Sequence, residues 1–482
     1  MAASVQTPSE LDELDHGPLG RLLLKYSWPA LVAMSLNAFY SVVDRVFIGQ
    51  GCGVDAMAGL TLAMPLTLLF GAFGVLIGAG HSAILSIKLG AKDMVACEKL
   101  LGQLIAFKLL LFLTLTPLVY FNLDTILAWC GAARVTPGAY AAAREYLQIL
   151  LFAYIFSHLS FGLSAMQRAE GGAFRSMLCM VVGFGLNLIL DPIFIFGFGM
   201  GVAGAAWATN ISMFCSCLWA LRYYWTGQTA VRLDWRRIGF HKGLVWRPFG
   251  IGFSPFFQQI LSAFITVSLQ IAFTRWVPDE AARTAQIASL GVFQACLILI
   301  MMPILGAQQG LQPIIGYNWG ARNFMRVNQT LVLGLYVTAA LTTIAFVIQV
   351  IPPFPTWLAR LFISGDQPAL IALSARDLQI SNLMIWCIFI NIVSSTYFQS
   401  IGRPRTAILL SLLRQGVCLL PVIWFLPHFM ANKTLAIWLC MPISDGVANA
   451  VSVLPLVLNL RFLARVRPRA AFKGVVQARK TR

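Results

Sequence analysis

The sequence predicts an all-α polytopic membrane protein, with twelve transmembrane helices in two pseudo-symmetric six-helix lobes. Three observations predict it. Of the 482 residues, 59% are apolar and only 11% are charged, where a soluble domain carries about 25% charged residues. The apolar residues fall in long runs, each enough for a helix to cross roughly 30 Å of hydrocarbon. Barrel strands would instead show as alternating segments of about 10 residues. Finally, sequence landmarks recur at a constant interval near 230. This composition excludes a soluble enzyme, a disordered chain and a disulfide scaffold.

The twelve segments run at about 22–49, 57–84, 100–121, 143–165, 174–198, 202–225, 248–274, 286–313, 328–351, 376–398, 406–427 and 435–460. They are numbered as spans 1 to 12 in that order. Internal prolines (Pro65, Pro117, Pro255, Pro303, Pro421, Pro455) predict kinks, which membrane helices tolerate. Residues 1–20 form a polar N-terminal tail, 226–247 a basic linker and 461–482 a basic tail. No cleavable signal sequence is evident, so span 1 is expected to start insertion itself.

Orientation follows from Lys and Arg. With both termini cytoplasmic, that side holds twenty-five of them. The other side holds eight: Arg45, Arg134, Arg144, Arg275, Arg283, Arg360, Arg376 and Lys433. This bias places both ends in the cytoplasm. The net charge of +17 then belongs to loops facing anionic lipid, not to nucleic-acid binding. Lys108 lies inside a span and is expected to snorkel. The 10 cysteines show no CxxC spacing and read as small packing residues. Cys52 and Cys130 fall in the same predicted outer region, where a pairing is open.

The repeat divides the spans. Gly80, followed after nine residues by Gly90-Ala91-Lys92-Asp93, recurs as Gly310 and Gly320-Ala321-Arg322-Asn323. Gly171 and Gly402, Trp207 and Trp438, and Pro192 and Pro421 fall at nearly the same offset. Two halves result, 21–225 (spans 1–6) and 248–460 (spans 7–12). An even number of spans gives both the same orientation, as in parallel-repeat transporters.

Of 18 acidic residues, only Asp44, Asp191 and Asp445 are expected well within spans. A carboxylate there costs roughly 2.5–3.5 kcal/mol on insertion scales and usually faces a water-filled cavity. Span 1 rises and carries Asp44 near its outer end. Span 5 carries Asn187 and Asp191 four residues apart, hence on one face. Span 6 descends with Thr209 near its start. These four polar groups share the outer half of the first lobe. Asn37, Tyr40, Ser41 and Asp44 also form a stripe along span 1. Two carboxylates with an amide and a hydroxyl make an oxygen-donor site that would serve Na⁺ or H⁺ alike. Plainer readings stand beside it: an Asp44–Arg45 ion pair, a helix exit shaped by Asp191-Pro192, and helix–helix bonding by Asn187 and Thr209.

The second half lacks this cluster and is rich in amides, including Gln258, Gln259, Gln294, Gln308, Gln309, Gln312 and Asn391. Asp445 is expected either to partner Arg414 of span 11 or to touch substrate. There is no Walker A sequence, no HExxH and no aspartate-rich motif. A catalytic or cofactor-dependent role is therefore not expected.

Several segments, in order, resemble the multidrug and toxic compound extrusion (MATE) family over nearly all of 20–460. They are Val43-Asp44-Arg45-Val46-Phe47-Ile48-Gly49, Gly90-Ala91-Lys92-Asp93, Gln167-Arg168-Ala169-Glu170-Gly171 and Asn187-Leu188-Ile189-Leu190-Asp191-Pro192. Gly204-Ala205-Ala206-Trp207-Ala208-Thr209 and Gln312-Pro313-Ile314-Ile315-Gly316-Tyr317-Asn318-Trp319-Gly320-Ala321 complete the set. The resemblance implies two lobes around a central V-shaped cavity. It implies export of organic cations or amphipathic drugs from a bacterial inner membrane, by alternating access coupled to inward Na⁺ or H⁺, without nucleotide or other cofactor. The family's cation site maps onto Asp44, Asn187, Asp191 and Thr209, and Asn37, Tyr40, Gln258, Gln259 and Asp445 are candidates for the cavity wall. Members with an acid early in span 7 or in span 10 differ from this chain, which has Gln258 and Gln259 in the first place and Asn391 and Ser394 in the second. Coupling is therefore expected in the first lobe. A monomer in lipid is expected. The rival class is a lipid or polyprenyl-linked saccharide flippase of related two-lobe fold, against which the acidic cluster argues.

Overall fold

The computed structural model describes residues 13–130, 136–227, 229–363 and 367–466, all of it helix, turn or irregular connection. Helix Leu19–Gly90 contains one break, at Gly53 with φ 82°. That left-handed conformation suits glycine, and it separates α1 (19–52) from α2 (54–90). Then follow α3 (Met94–Phe121), α4 (Leu123–Trp129), α5 (Pro137–Ala169), α6 (Ala173–Pro192) and α7 (Gly201–Trp225). The second half has α8 (Trp246–Trp276), α9 (Glu280–Gly320), α10 (Phe324–Val350), α11 (Phe354–Phe362), α12 (Pro368–Ser381), α13 (Phe389–Ser400), α14 (Pro404–Leu412), α15 (Leu420–Phe429) and α16 (Lys433–Val466).

Among the described residues, ten helices are long and apolar enough to span a membrane, and α12 with α13, bent by 42°, make one more. With α1, each of the twelve expected segments has a helical counterpart. The helices start and stop where the sequence caps them. Asp93 and Asn323, related by the repeat, each accept the backbone N–H three residues on, from Ala96 (3.2 Å) and Arg326 (3.3 Å). Lys92 and Arg322 share φ 58°, and Gly171 and Gly402 also have positive φ. Two features were not expected. Short helices α4 and α11 lie at matching places in the two halves. A π-helical stretch also follows α6 (Ile193–Gly197) and α14 (Leu413–Leu419), widening the fifth helix of each half.

The halves meet at the end that carries most of the Lys and Arg, called here the basic end. The repeated glycines make this contact. A Cβ on Gly90 would run into the Tyr317 carbonyl, and one on Gly320 into the Ile87 carbonyl. Each pair is the repeat image of the other, so the pseudo-twofold axis passes through this backbone-to-backbone contact. Gly80 likewise meets Pro248, and Gly252 meets Leu76. Nearby, Ser27 and Leu31 of α1 fit against Gly310 and Gly306 of α9. Residues 13–17 of the expected tail are docked. Leu14 is fully buried, and its carbonyl accepts from Asn318 Nδ2 (3.2 Å) and Arg326 Nε (3.1 Å).

Gly320→Val is expected to force the lobes apart at the basic end. Maleimide labelling of a cysteine placed at Ser86 should then rise several-fold. Unchanged labelling would mean that the contact is not a close-packed one.

Candidate functional site

Three helices bring the predicted cluster together. Asn187 and Asp191 are fully buried on one face of α6, one turn apart. Asn187 Nδ2 donates to Asp191 Oδ1 at 3.2 Å and approaches Thr209 Oγ1 of α7 at 3.4 Å. Thr209 donates its own proton to the Ala205 carbonyl (3.0 Å), which leaves its oxygen free to accept. Asp44 of α1 is buried, and its carboxyl faces that of Asp191. All four predicted residues therefore form one group. The side chains of Ser41 and Arg45 lie outside the described residues.

Aromatic contacts fix α1 against α6 and the π segment that follows it. Tyr40 stacks on Phe184 with ring centroids 5.4 Å apart, and its hydroxyl contacts Thr209. Phe47 meets Phe196 edge-on at 6.1 Å. Pro192 lacks an N–H to donate, so the helix loosens into the π segment beside the carboxylates. Sequence reasoning missed Tyr146 of α5, which is buried within electrostatic reach of both acids. Its signal was the 146, 154, 158 spacing of Tyr, Tyr and His on one face of that helix.

Two buried oxygens here, Asp191 Oδ2 and Asn187 Oδ1, accept no hydrogen bond from the described residues. Buried acceptors rarely stay unsatisfied. A proton or a small hard cation would satisfy both, so the residues present suit either ion. No group of three or more His, Cys, Asp or Glu suited to a metal occurs among the described residues.

The second half differs. Arg414 Nε donates to Asp445 Oδ1 at 2.7 Å, and Ser444 and Asn449 bind the backbone carbonyls of the pair. Asp445 thus makes the ion pair that was one of its two readings. Asn391 is used by Leu410 O (3.1 Å) and Ser452 Oγ (2.9 Å). Gln259 lies against Gly71 of α2 at the lobe boundary, Gln258 is exposed, and Asn37 is half-buried. Asp445 is not the only buried acid of this half. Asp377 of α12 is buried too and accepts from Ser289 Oγ at 2.7 Å. It stands at the edge of span 10, where only a helix-end position was expected, and α12 begins eight residues earlier than the apolar run.

One other expectation changes, and the pairing left open is decided. Lys108 does not snorkel: it is fully buried, and its Nζ donates to Gly74 O at 2.6 Å. Cys52 and Cys130 are free thiols. Two cavities lie away from the carboxylates. One of about 720 Å³ opens beside Glu280, Thr284 and Gln367. A small one of about 20 Å³ lies between the lobes at Ser86, Arg168, Gln309 and Gln312.

A helical two-half fold with an acidic cluster in one half defines a class of membrane transporter. The MatE family model matches the chain twice, over residues 29–193 and 259–425. The chain belongs to this family, and the two matches start 230 residues apart, as the repeat does. It is 26% identical over 436 residues to the multidrug export protein MepA of Staphylococcus aureus (strain MRSA252), covering 89% of this chain and 92% of that protein. The MepA of Staphylococcus saprophyticus is 24% identical over 416 residues, covering 86% and 89%. Among solved structures, an outward-facing multidrug resistance MATE transporter superposes with a TM-score of 0.87 at 22% identity, covering 95% of this chain and 99% of that one. A transporter from Pyrococcus furiosus gives 0.86 at 22% identity, with the same coverage.

Asp445→Asn is expected to cost roughly 3–5 kcal/mol of stability, because it strands the buried Arg414. Replacing both partners by Met should recover most of that loss. Thermal unfolding in detergent reads the difference, and an unchanged melting point in the single variant would contradict the pairing.

Proposed function

We propose that this protein exports amphipathic or cationic organic compounds across the bacterial inner membrane, with both termini cytoplasmic. Export is driven by inward Na⁺ or H⁺ through alternating access. The observation that carries the reading is the buried, facing Asp44–Asp191 pair, in which Asp191 Oδ2 and the adjacent Asn187 Oδ1 accept no hydrogen bond from the described residues. In a low-dielectric lobe, two facing carboxylates are strongly unfavourable without a cation or a proton between them.

The cycle uses competition. With the cavity open to the outside, the ion enters the N-half site and neutralises the acids. The stack of Tyr40 on Phe184 and the α1–α6 contacts adjust to it, and affinity for a cationic drug falls. With the cavity open to the cytoplasm, the ion leaves and the acids attract the next drug molecule. The ion shifts this equilibrium only by its differential affinity for the two states. Positive-inside orientation makes the basic end cytoplasmic. The glycine contacts between lobes at that end then fit an outward-facing state. The cited MepA relatives support a drug as cargo.

Proteoliposomes loaded with a fluorescent organic cation test this, with Na⁺ and pH gradients imposed separately. Wild type is expected to move dye under at least one gradient. Asp44→Asn and Asp191→Asn are expected to abolish that movement while remaining folded. Dye movement at the wild-type rate in both variants would move coupling out of the N-half.

A further inference from the structure

The interior of the N-half holds ionisable groups that the carboxylate site does not use. Lys108 of α3 is fully buried, with Nζ on the Gly74 carbonyl and Cε against Gly162 of α5. Among the described residues no carboxylate acts on it. His158 of α5 packs on the same Gly74. Its Nε2 lies 3.0 Å from where a Gly74 Cβ would stand and bonds to none of the described residues, the ring also bonds the Phe70 backbone, and Lys108 is within electrostatic reach. His81, two turns further along α2 toward the basic end, is also buried and also within reach of Lys108.

The line continues in both directions. His81 Nδ1 meets the Ile77 carbonyl at 2.8 Å, so that nitrogen carries the proton and Nε2 accepts from Gln103 Nε2 at 3.3 Å. Gln103 in turn accepts from the His241 backbone N–H (3.3 Å) and donates to Leu244 O (3.3 Å), both in the basic linker. Toward the acids, Tyr154 lies one turn from His158 on α5, with rings 5.7 Å apart. Its buried hydroxyl has no partner among the described residues and lies within electrostatic reach of Tyr40 and Tyr146. Apolar side chains would fill this space at far lower cost. Titratable groups strung between an acidic site and one membrane face are the arrangement of a proton relay.

We propose that His158, Lys108 and His81 carry protons between the N-half carboxylates and the cytoplasmic face, so that the coupling ion is H⁺. The proposal rests on the coupling role of Asp44 and Asp191. A proton arriving past Tyr154 binds His158 Nε2. His158 hands one proton to Lys108 Nζ in its amine form, and the ammonium hands one to His81 Nε2. His81 releases it toward the linker as Gln103 swings aside. Each carrier gains one proton and loses one, so one H⁺ crosses and the relay resets.

The test uses the full-length protein in proteoliposomes with a pH-sensitive dye inside and an organic-cation gradient imposed. Lys108→Arg keeps a donor for Gly74 but stays protonated, so it neither accepts nor releases a proton. Lys108→Arg, His158→Gln and His81→Gln are expected to slow proton movement about tenfold or more. Equilibrium binding of the organic cation, and its response to pH, should stay as in wild type. Wild-type proton movement in Lys108→Arg would make the lysine a structural cation and overturn the relay. So would a wild type driven by Na⁺ but not by a pH gradient. If the arginine does not fit, folded Lys108→Met and His158→Gln decide in the same way. Inactive Asp191→Asn beside fully active relay variants would refute the relay alone. Fully active Asp191→Asn would refute the coupling site beneath it.

Discussion

Two carboxyl groups facing each other out of water set the terms for the N-half. Asp44 and Asp191 come from helices nearly 150 residues apart in the chain, and two like charges held face to face repel. Their surroundings hold them in place. Asn187 gives one hydrogen bond to Asp191, Thr209 is held by its own helix, and aromatic stacking ties α1 to α6. What remains is acceptor capacity for one small cation or proton. Pro192 and the π segment place this demand beside a stretch of helix that already departs from regular geometry, so occupancy has a local element to act on.

The second half shows what the same fold does with acids it does not leave open. Asp445 is closed by Arg414, and Asp377 by Ser289. Asn391 spends its amide on a carbonyl and a hydroxyl. The repeat therefore supplies symmetry of backbone, not of chemistry. That symmetry is clearest at the basic end, where Gly90 and Gly320 exchange close contacts with Tyr317 and Ile87. Glycine there lets two helix backbones touch, and the contact can part without extracting side chains from a core.

Much of this was legible in the sequence. Long apolar runs marked the spans, because nothing else satisfies backbone groups in hydrocarbon. The 230-residue interval marked the halves, and chain direction put Asp44, Asn187, Asp191 and Thr209 at one depth. What escaped depended on which helix faces which. Lys108 was expected at a surface because long basic side chains usually find one, but α3 turns it toward Gly74 and Gly162, where missing side chains make room. Asp377 hid at a span edge because α12 begins before its apolar run. Tyr146 needed the packing of α5 to reach the acids. The short helices α4 and α11 are too brief to stand out against their loops.

The central claim is that ion and drug compete through the Asp44–Asp191 pair, and equilibrium binding tests it most directly. Affinity for a fluorescent organic cation would be titrated against pH and against Na⁺, in wild type and in Asp191→Asn. The account predicts that the coupling ion weakens drug binding in wild type, that drug weakens ion binding by the same factor, and that Asp191→Asn abolishes both effects. Drug affinity independent of both ions in wild type, or equal coupling in Asp191→Asn, would contradict it.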